Sequence, residues 1–291
     1  MAYTITIWGA RGSIPTPGAL TTRYGGNTPC VAVEQSREAG DRLVILDAGT
    51  GIRLLGQELV ERGNGPLQVD LLLSHTHWDH IQGIPFFAPF FNDGNEVRVW
   101  GSKQGDVDLD VILRQQMHPV VFPVPLDRVS AELFVEHVEP GTFEIDGFQV
   151  EAFRLRHPGN TLGYRLQPMG GGASMAYVTD NELGPGGEYD VGPKWRRELV
   201  RFLKGVDVLI HDAMYTPEDL EQHRGWGHSS YAEAVTLAAD AGVGRLVLFH
   251  HRPEHDDAAM DNLVEAAQTE AEETGQTLEV IAATEGMQLT L

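Results

Sequence analysis

Apolar residues recur along the 291-residue chain with two different periods. Runs that are continuously apolar, or that alternate with polar residues, predict strands, and apolar side chains three or four residues apart predict helices. The predicted strands cover residues 3–8, 30–34, 42–46, 68–74, 96–100, 132–138, 142–156, 161–166, 174–179, 206–210 and 245–249, with a final pair of strands after the last helix. The predicted helices cover residues 50–60, 106–117, 193–204, 229–241 and 256–273. Many strands with interspersed helices indicate two sheets with helices outside them.

The pattern shows no repeat, low-complexity tract or linker at which the chain would divide. We therefore expect one domain over residues 1–291, a length that can bury a large core. Residues 86–125 are rich in Phe and Pro, and we treat residues 86–130 as a candidate insertion that walls a substrate pocket. An ordinary hydrophobic cap on the core would explain the same composition, because aromatic residues dominate cores as well as pockets.

The net charge of the chain limits which classes of molecule it can bind. The chain has 42 acidic and 21 basic residues, for a formal net charge of −21. This field repels polyanions and disfavours long nucleic acids as partners, since no basic run is longer than Arg196-Arg197. A small phosphorylated substrate remains compatible with the charge, because bound metal ions can dominate the local field.

The cysteine count and the chain start bear on location. Cys30 is the one cysteine, so no intrachain disulfide can form and a reducing compartment suits the chain. The first residues lack a basic leader with a long apolar core, and no stretch approaches the length of a membrane span. We expect a cytoplasmic protein without membrane contact, and the base rate for oligomers favours a homodimer.

The most informative chemistry lies directly after the predicted strand 68–74. Residues 75–80 read His75-Thr76-His77-Trp78-Asp79-His80, which places four potential metal ligands within six positions. Strand alternation would put His75 and His77 on one face, with Asp79 and His80 just beyond, so each pair can serve its own ion. Imidazole and carboxylate suit zinc, manganese or iron, and the lack of thiolates argues against a structural zinc finger.

Three later residues share a position with this motif, because each follows the end of an apolar strand. These residues are His157, Asp180 and His250. Strand ends that share one rim of a sandwich can converge on a single site. His251 competes with His250 for this place, but strand alternation points the two side chains to opposite faces, so only one should reach the metals.

Taken in order, these residues resemble the metal-ligand pattern of the metallo-β-lactamase superfamily. In its second half the chain is similar to the ribonuclease Z-like phosphodiesterase branch, in Val208-Leu209-Ile210-His211-Asp212-Ala213 and in Gly227-His228-Ser229-Ser230. Gly25-Gly26-Asn27-Thr28-Pro29-Cys30 and Asp47-Ala48-Gly49-Thr50 also resemble that branch's early strands. The resemblance spans essentially the whole chain and implies a four-layer αββα sandwich of mixed α/β and α+β character, with a dinuclear metal site on one edge.

The resemblance also implies a ligand set. It assigns His75, His77, His157 and Asp180 to one divalent ion, and Asp79, His80, Asp180 and His250 to the other. Asp180 would bridge the two ions. Such a pair can share a hydroxide and clamp the transferring centre of an in-line displacement. Zinc is the preferred assignment, with manganese or iron as alternatives.

His228, Asp212 and Asp79 are assigned catalytic roles on the same basis, Asp79 as a ligand in the reacting centre. His228 would lie near the leaving oxygen and donate a proton, because an imidazole pKa lies near working pH. Asp212 would orient the His228 ring. A structural alternative exists for each: Ser229 beside His228 could simply cap helix 229–241, and Asp212 could be a buried structural carboxylate.

The substrate class follows from a departure from the family. Enzymes of this branch that process tRNA carry a long basic arm, commonly between the ligands that match His157 and Asp180. Here those residues are 23 positions apart, enough for a hairpin only. We therefore expect a small phosphodiester, such as a cyclic nucleotide or short nucleotide diester. Substrate contacts are sought at Arg11, Asn27, Asn160 in segment 158–161, and His118, although turn formation explains the Gly, Pro and Asn residues as well.

Other functions remain compatible with the same ligands. The scaffold can hydrolyse a lactone, thioester or carboxyl ester, since the nucleophile that attacks phosphorus can attack a carbonyl. A non-catalytic ligand-binding relative would keep the pocket without turnover, and an iron-dependent redox enzyme is a more distant alternative.

Overall fold

Two seven-stranded sheets form the centre of this computed structural model, which describes residues 2–35, 42–63, 65–145 and 147–291. The first sheet has the strand order β14-β1-β2-β3-β4-β5-β6, and the second has the order β13-β12-β11-β10-β9-β8-β7. The strands are β1 Thr4–Gly9, β2 Cys30–Gln35, β3 Arg42–Leu46, β4 Gln68–Leu72, β5 Glu96–Gly101, β6 Glu132–His137, β7 Gly141–Ile145, β8 Phe148–Arg154, β9 Leu162–Pro168, β10 Met175–Val178, β11 Val208–Asp212, β12 Arg245–Phe249, β13 Glu279–Ala282 and β14 Gln288–Thr290.

Each sheet is half antiparallel and half parallel. Strands β14 to β3 and β7 to β10 pair antiparallel, whereas β3 to β6 and β10 to β13 pair parallel. Parallel neighbours need crossover connections, and helices supply most of them. The ends of β4, β10, β11 and β12 therefore lie where the chain leaves the sheet for a loop or helix, which is where ligand-binding residues are usually placed.

Helices cover the outer faces of both sheets. They are α1 Gly51–Arg62, α2 Trp78–Ile81, α3 Leu109–Gln116, α4 Trp195–Phe202, α5 Pro217–His223, α6 Tyr231–Ala241 and α7 Asp257–Glu273, with 3₁₀ turns at Ile84–Phe86, Ala88–Phe91 and Leu126–Arg128. Helices α1 and α3 pack in the apolar cluster outside the first sheet, and α4, α6 and α7 pack in the cluster outside the second. The predicted αββα sandwich is confirmed.

Strand β10 shows why the apolar runs are continuous. Met175 and Tyr177 point into the core between the sheets, whereas Ala176 and Val178 point into the cluster below the outer helices. A strand that is buried on both faces needs apolar residues at every position. In the described part of the chain, no helix is both long and apolar enough to cross a membrane.

Some predicted boundaries were wrong. The predicted strand 142–156 is a hairpin of β7 and β8, with Gly147 at a φ of +98° in the turn and residue 146 outside the described residues. Both arms carry apolar residues, so the pattern did not reveal the reversal. Strand β4 ends at Leu72 rather than at residue 74, and the short helix α5 was not predicted.

The Phe/Pro-rich segment is split between core and surface. Phe87 and Phe90 are fully buried and pack with α1 below the first sheet, whereas Phe86 is 56% exposed. The buried part is therefore a hydrophobic cap on the core, which was the alternative explanation for this composition.

Candidate metal centre

Loops at one rim of the sandwich carry the predicted metal ligands. The chain leaves β4 at Leu72, and His75 and His77 lie in the loop that follows rather than on the strand. His77 is the N-cap of α2, so Asp79 and His80 belong to the first turn of that helix. Strand alternation was thus the wrong reason for pairing His75 with His77, but the loop brings their rings to 4.4 Å from each other.

The first group of side chains comprises His75, His77, His157 and Asp180, whose ligand atoms all lie within 4.8 Å of one another. Asp180 Oδ2 is 3.7 Å from His75 Nε2 and 3.6 Å from His157 Nε2. His77 Nδ1 is 3.0 Å from His157 Nε2. Three imidazoles and one carboxylate thus face a common point, as a divalent ion requires.

The second group comprises Asp79, His80, Asp180 and His250, again within 4.8 Å. Asp180 Oδ1 lies 3.2 Å from both His80 Nε2 and His250 Nε2. Asp79 Oδ2 lies 3.1 Å from His250 Nε2 and 3.3 Å from His80 Nε2. One oxygen of Asp180 therefore faces each group, which is the arrangement of a bridging carboxylate.

The hydrogen bonds around the imidazoles fit metal binding. His80 Nδ1 donates to Asp47 Oδ2 at 2.7 Å, and His157 Nδ1 donates to the Gly227 carbonyl at 2.9 Å. The Nε2 atoms of His75 and His80 are buried and find no hydrogen-bond partner among the described residues. A buried imidazole whose Nδ1–H is engaged, and whose Nε2 is left free, is the usual form of a metal ligand.

Protonation states agree with this use. Burial lowers the pKa of His75 well below its usual value and lowers the pKa of His157 to about 4, so both rings are neutral and can bind a cation. Burial alone would raise the pKa of Asp180, but the neighbouring histidines outweigh it and hold that pKa well below its ordinary value. Burial would lower the pKa of His80, but Asp79, Asp180 and Asp47 outweigh it and raise that pKa well above its usual value, so a cation bound there would displace a proton. His75 and His157 thus offer neutral imidazoles and Asp180 offers an ionised carboxylate, which are donors of a divalent metal site.

Asp47 supports the site but was not predicted to do so. Its fully buried carboxylate accepts hydrogen bonds from the Ser74 amide at 2.7 Å, the Ser74 hydroxyl at 2.8 Å, the Tyr177 hydroxyl at 2.8 Å and His80. It follows the apolar run of β3, so the strand-end criterion that selected Asp180 would have found it.

Asp47→Asn is expected to weaken metal binding by about 10- to 100-fold, because the amide no longer offers His80 a charged acceptor. Competition against a chromophoric chelator measures this. The matched control is Asp93→Asn, at an exposed turn far along the chain, which should keep native affinity. Native metal affinity in Asp47→Asn would contradict the role.

Residues with strained backbone conformations cluster at the rim that carries the metal groups. In the described chain, four residues other than glycine have positive φ: Ser13 at 63°, Asp47 at 60°, Asp180 at 40° and His250 at 60°. The Ser13 amide donates to Asp79 Oδ2 at 2.8 Å, so all four belong to the site or touch it. Such conformations cost about 1–3 kcal/mol each and persist where the surroundings hold them for function.

Gly12 gives the His250 ring its space, because a Cβ at this position would lie 2.5 Å from ring atoms of His250. Gly12→Ala is therefore expected to cost about 1–3 kcal/mol of folding stability and to displace the ring. Chemical denaturation and metal analysis measure the two effects. Gly18→Ala, where a Cβ meets nothing within 4 Å, is the control, and equal behaviour of the two variants would refute the assignment.

His228 and Asp212 form a buried pair beside the metal groups. His228 Nδ1 donates to Asp212 Oδ2 at 2.7 Å, and the rings of His228 and His250 stack at 5.0 Å. Asp212 also accepts from the amides of Asn181 at 3.2 Å and Met214 at 3.0 Å. Burial lowers the pKa of His228, but the Asp212 carboxylate outweighs it and raises that pKa to about 9.

The alternative explanation of this segment as a helix cap was partly wrong. Helix α6 begins at Tyr231, and its N-cap is Ser230, which forms a capping box with Glu233. Ser229 instead donates its hydroxyl to the Asn181 carbonyl. Capping therefore accounts for Ser230, but it does not account for the placement of His228.

An open cavity of about 500 Å³ lies above the two groups. It is lined by Ser13, Thr76, His77, Trp78, Asp79, His157, Asp180, His228 and His250. Trp78 is 81% exposed at its mouth. The metal groups and the His228 side chain can thus reach one substrate.

The predicted substrate contacts lie elsewhere. Asn27 donates to Glu285 at 2.9 Å, Asn160 donates to the Lys103 carbonyl at 2.7 Å, and His118 accepts from the Val120 amide at 3.3 Å. None of the three lines the cavity as the described residues define it. Arg11 is fully buried and donates to backbone carbonyls, among them that of Gly25. The polar groups of Asn27 and Asn160 instead connect distant parts of the chain, since Glu285 and Lys103 lie far from them in sequence.

His251 is also separated from the metal groups. It is buried, and its Nε2 lies 2.8 Å from the Ala283 carbonyl oxygen, on the other side of the strand end from His250. The two neighbours thus face different surroundings, as predicted, but both lie beyond the end of β12 and His250 has a φ of +60°, so strand alternation is not the reason.

Known proteins resemble this chain over most of its length. A ribonuclease Z of Natronomonas pharaonis is 26% identical over 295 residues, which cover 86% of this chain and 87% of that protein. The metallo-beta-lactamase fold protein YhfI from Bacillus subtilis superposes with a TM-score of 0.68 at 20% identity, covering 100% of this chain and 99% of the other. Unliganded yeast PDE1 superposes with a TM-score of 0.73 at 15% identity, with the same coverage.

The family model described as the beta-lactamase superfamily domain matches residues 42–251. That interval contains β3 with Asp47, the motif at residues 75–80, and the later residues His157, Asp180 and His250. The chain therefore belongs to the metallo-β-lactamase superfamily, and it is a metal-dependent hydrolase.

Proposed function

We propose that this protein hydrolyses a small phosphodiester, such as a cyclic nucleotide or short nucleotide diester, with two divalent ions. Zinc is the preferred metal, because imidazole and carboxylate donors suit it, and manganese or iron fit the same donors. The observation that carries the proposal is the Asp180 carboxylate, which presents one oxygen to each of two four-residue groups, with His228 lining the same cavity.

The first group would hold one ion through His75, His77, His157 and Asp180, and the second would hold the other through Asp79, His80, Asp180 and His250. When bound, a pair of divalent ions activates water and neutralises the charge that develops on a phosphoryl centre. The residues of the chain supply position and a proton. His228 is kept protonated by Asp212 and can donate to the oxygen that leaves.

A small substrate is supported by the surroundings of the cavity. Between His157 and Asp180 the chain forms β9 and β10 joined by the turn at residues 169–174, which leaves no length for a substrate-binding arm. The net charge of −21 repels a long polyanion. Trp78 offers an exposed aromatic face beside the metal groups, on which a nucleobase can stack.

The phosphodiester assignment is also supported by relatedness, since the N. pharaonis relative is named a ribonuclease Z, a name that implies a phosphodiester substrate. A carbonyl substrate would use the same metal ions, so the ligand set does not separate the two reactions. The experiment must therefore compare both bond types in the same preparation.

The test loads the protein with Zn²⁺ or Mn²⁺ and assays bis(p-nitrophenyl) phosphate, cyclic nucleotides and dinucleotides beside lactones, thioesters and carboxyl esters. We expect metal-dependent turnover of the diesters, with the best kcat/KM for a nucleotide. Faster turnover of a lactone or thioester would replace the proposal with carbonyl hydrolysis. Bound metal without turnover of any substrate would indicate a ligand-binding relative.

Location and assembly are part of the same proposal. We propose a cytoplasmic protein that acts without membrane contact and assembles as a homodimer. Cys30 is fully buried and cannot form an intrachain disulfide, so a reducing compartment does not threaten the fold. Light scattering coupled to gel filtration tests the dimer, and a monomeric mass at micromolar concentration would remove it.

A further inference from the structure

Glu182 is a fully buried carboxylate that the proposed reaction does not use. Its Oε1 and Oε2 accept from the Gly225 amide at 2.9 and 3.0 Å, and Oε2 also accepts from the Gly227 amide at 3.1 Å. The Tyr189 hydroxyl donates to the same oxygen. Burial of a carboxylate is costly unless donors surround it, and here three residues supply them.

The two amides belong to the loop that directly precedes His228. Gly225 and Gly227 both have a φ of +88°, a conformation that side-chain-bearing residues rarely adopt. A Cβ on Gly227 would lie 2.2 Å from His157 Nδ1, so only glycine fits against that ring. The loop thus passes directly over the imidazole of His157, and a change in its path would displace that ring.

This loop contacts both halves of the site. The Gly227 carbonyl accepts from His157 Nδ1 at 2.9 Å, so Nε2 of that ring faces His77 and Asp180 in the first group. The next residue is His228, whose ring reaches Asp212 at 2.7 Å. A shift of the loop would therefore move the acceptor of His157 and the proton donor together.

Glu182 is itself tied to the metal groups. It lies two residues after Asp180, and its amide donates to the Arg156 carbonyl at 2.8 Å, immediately before His157. The Asn181 side chain accepts from the Arg156 amide at 3.0 Å. The segment that ends at Glu182 thus connects the residues after β8 and β10 to the glycine loop.

We propose that Glu182 is a positioning residue, which clamps the loop of residues 225–227 so that Gly227 orients His157 and His228 reaches the leaving oxygen. The role of His228 in this statement rests on the proposed function. The orientation of His157 does not, because it concerns metal binding alone and can be measured without a substrate.

Glu182→Gln removes the charge and one acceptor while keeping the side-chain volume. We expect it to lower zinc affinity by about 10- to 100-fold, measured by competition with a chromophoric chelator, because the acceptor of His157 is displaced. At saturating metal we expect kcat for a cyclic nucleotide to fall by about 10- to 100-fold with little change in KM, since the substrate still binds but His228 is misplaced and the ribose oxygen leaves without its proton. Glu188→Gln, at an exposed position of the same connecting segment, should behave like the native protein.

Tyr189→Phe removes one donor without changing burial or charge, and it should give a smaller loss in the same direction. This variant keeps the test decisive if Glu182→Gln fails to fold. Native zinc affinity and kcat in both variants would overturn the proposal, as would a lower thermal midpoint with both quantities unchanged. If the native protein cleaved no diester, the affinity measurement would still decide the clamp, so its failure and that of the proposed function are distinguishable.

Discussion

Asp180→Asn is expected to lower kcat for phosphodiester hydrolysis by at least about 1,000-fold, which corresponds to about 4 kcal/mol of lost transition-state stabilisation. The reason is the position of the carboxylate. Its Oδ1 faces His80 and His250, and its Oδ2 faces His75 and His157. An amide carries no charge and offers one oxygen, so it cannot serve both groups. The variant would therefore lose both the bridge that sets the spacing of two ions and the negative charge that they share.

Metal analysis and single-turnover assays measure this result. We expect the variant to retain fewer than two tightly bound ions per chain after dialysis, whereas the native protein retains two. Asp190→Asn is the matched control, because Asp190 is an exposed carboxylate ten residues along the same connecting segment. Two retained ions together with more than about a tenth of native kcat would show that Asp180 does not bridge.

His228→Ala is expected to lower kcat by about 100- to 10,000-fold while two metal ions remain bound. The imidazole lines the cavity, and Asp212 Oδ2 accepts its Nδ1 proton at 2.7 Å, so Nε2 is left to face the substrate. Removal of the ring takes away the proton donor and the ring stacked on His250 at 5.0 Å, but it leaves every member of the two four-residue groups in the chain. His137→Ala, at a histidine that is 41% exposed in its side chain, provides the control.

The leaving group separates proton donation from a general loss of structure. A p-nitrophenolate leaves readily without a proton, whereas an alkoxide such as a ribose oxygen needs one. His228→Ala should therefore be impaired far more on a cyclic nucleotide than on bis(p-nitrophenyl) phosphate. An equal loss on both substrates would remove the proton-donor role.

Hydrolytic activity is expected to fall as the pH rises. The pKa of His228 lies at about 9, above its unfolded value, so activity that needs the imidazolium is present at neutral pH and is lost as pH rises through that value. Bound dications repel the imidazolium and move this alkaline limb below pH 9 in the loaded enzyme. The stabilisation from the pair with Asp212 follows the same sign: it is complete below the unfolded pKa and is lost as pH rises through the folded one. The limb should disappear in His228→Ala.

One regularity in the sequence predicted the site: a polar residue directly follows the end of an apolar strand. It selected His157, Asp180 and His250, and the structure brings all three to one rim with the motif at residues 75–80. Applied to β3, the same regularity would also have selected Asp47. The regularity works because a sheet buried on both faces leaves its strand ends as the places where polar side chains can converge.

The local residue pattern gave wrong predictions in segments whose geometry is set by turns. Asn27 and Asn160 were predicted to contact the substrate, yet their amides are engaged by Glu285 and by the Lys103 carbonyl. The hairpin of β7 and β8 read as one strand, because both arms carry the same apolar periodicity. In the first case the sequence did not show which distant groups the polar side chains would contact, and in the second it did not show where the chain reverses.

By itself, the sequence determined the two-sheet architecture, most of the strands and helices along the chain, and the residues that meet at the metal rim. Periodicity and strand ends encode these features within a few neighbouring residues. Only the tertiary structure decided how the ligands are held, through Asp47 on His80 and Glu182 on the loop of residues 225–227. Those partners are separated by 33 positions for Asp47 and His80, and by 43 and 45 positions for Glu182 and the two glycines, and a hydrogen bond between such distant residues leaves no periodic trace along the chain.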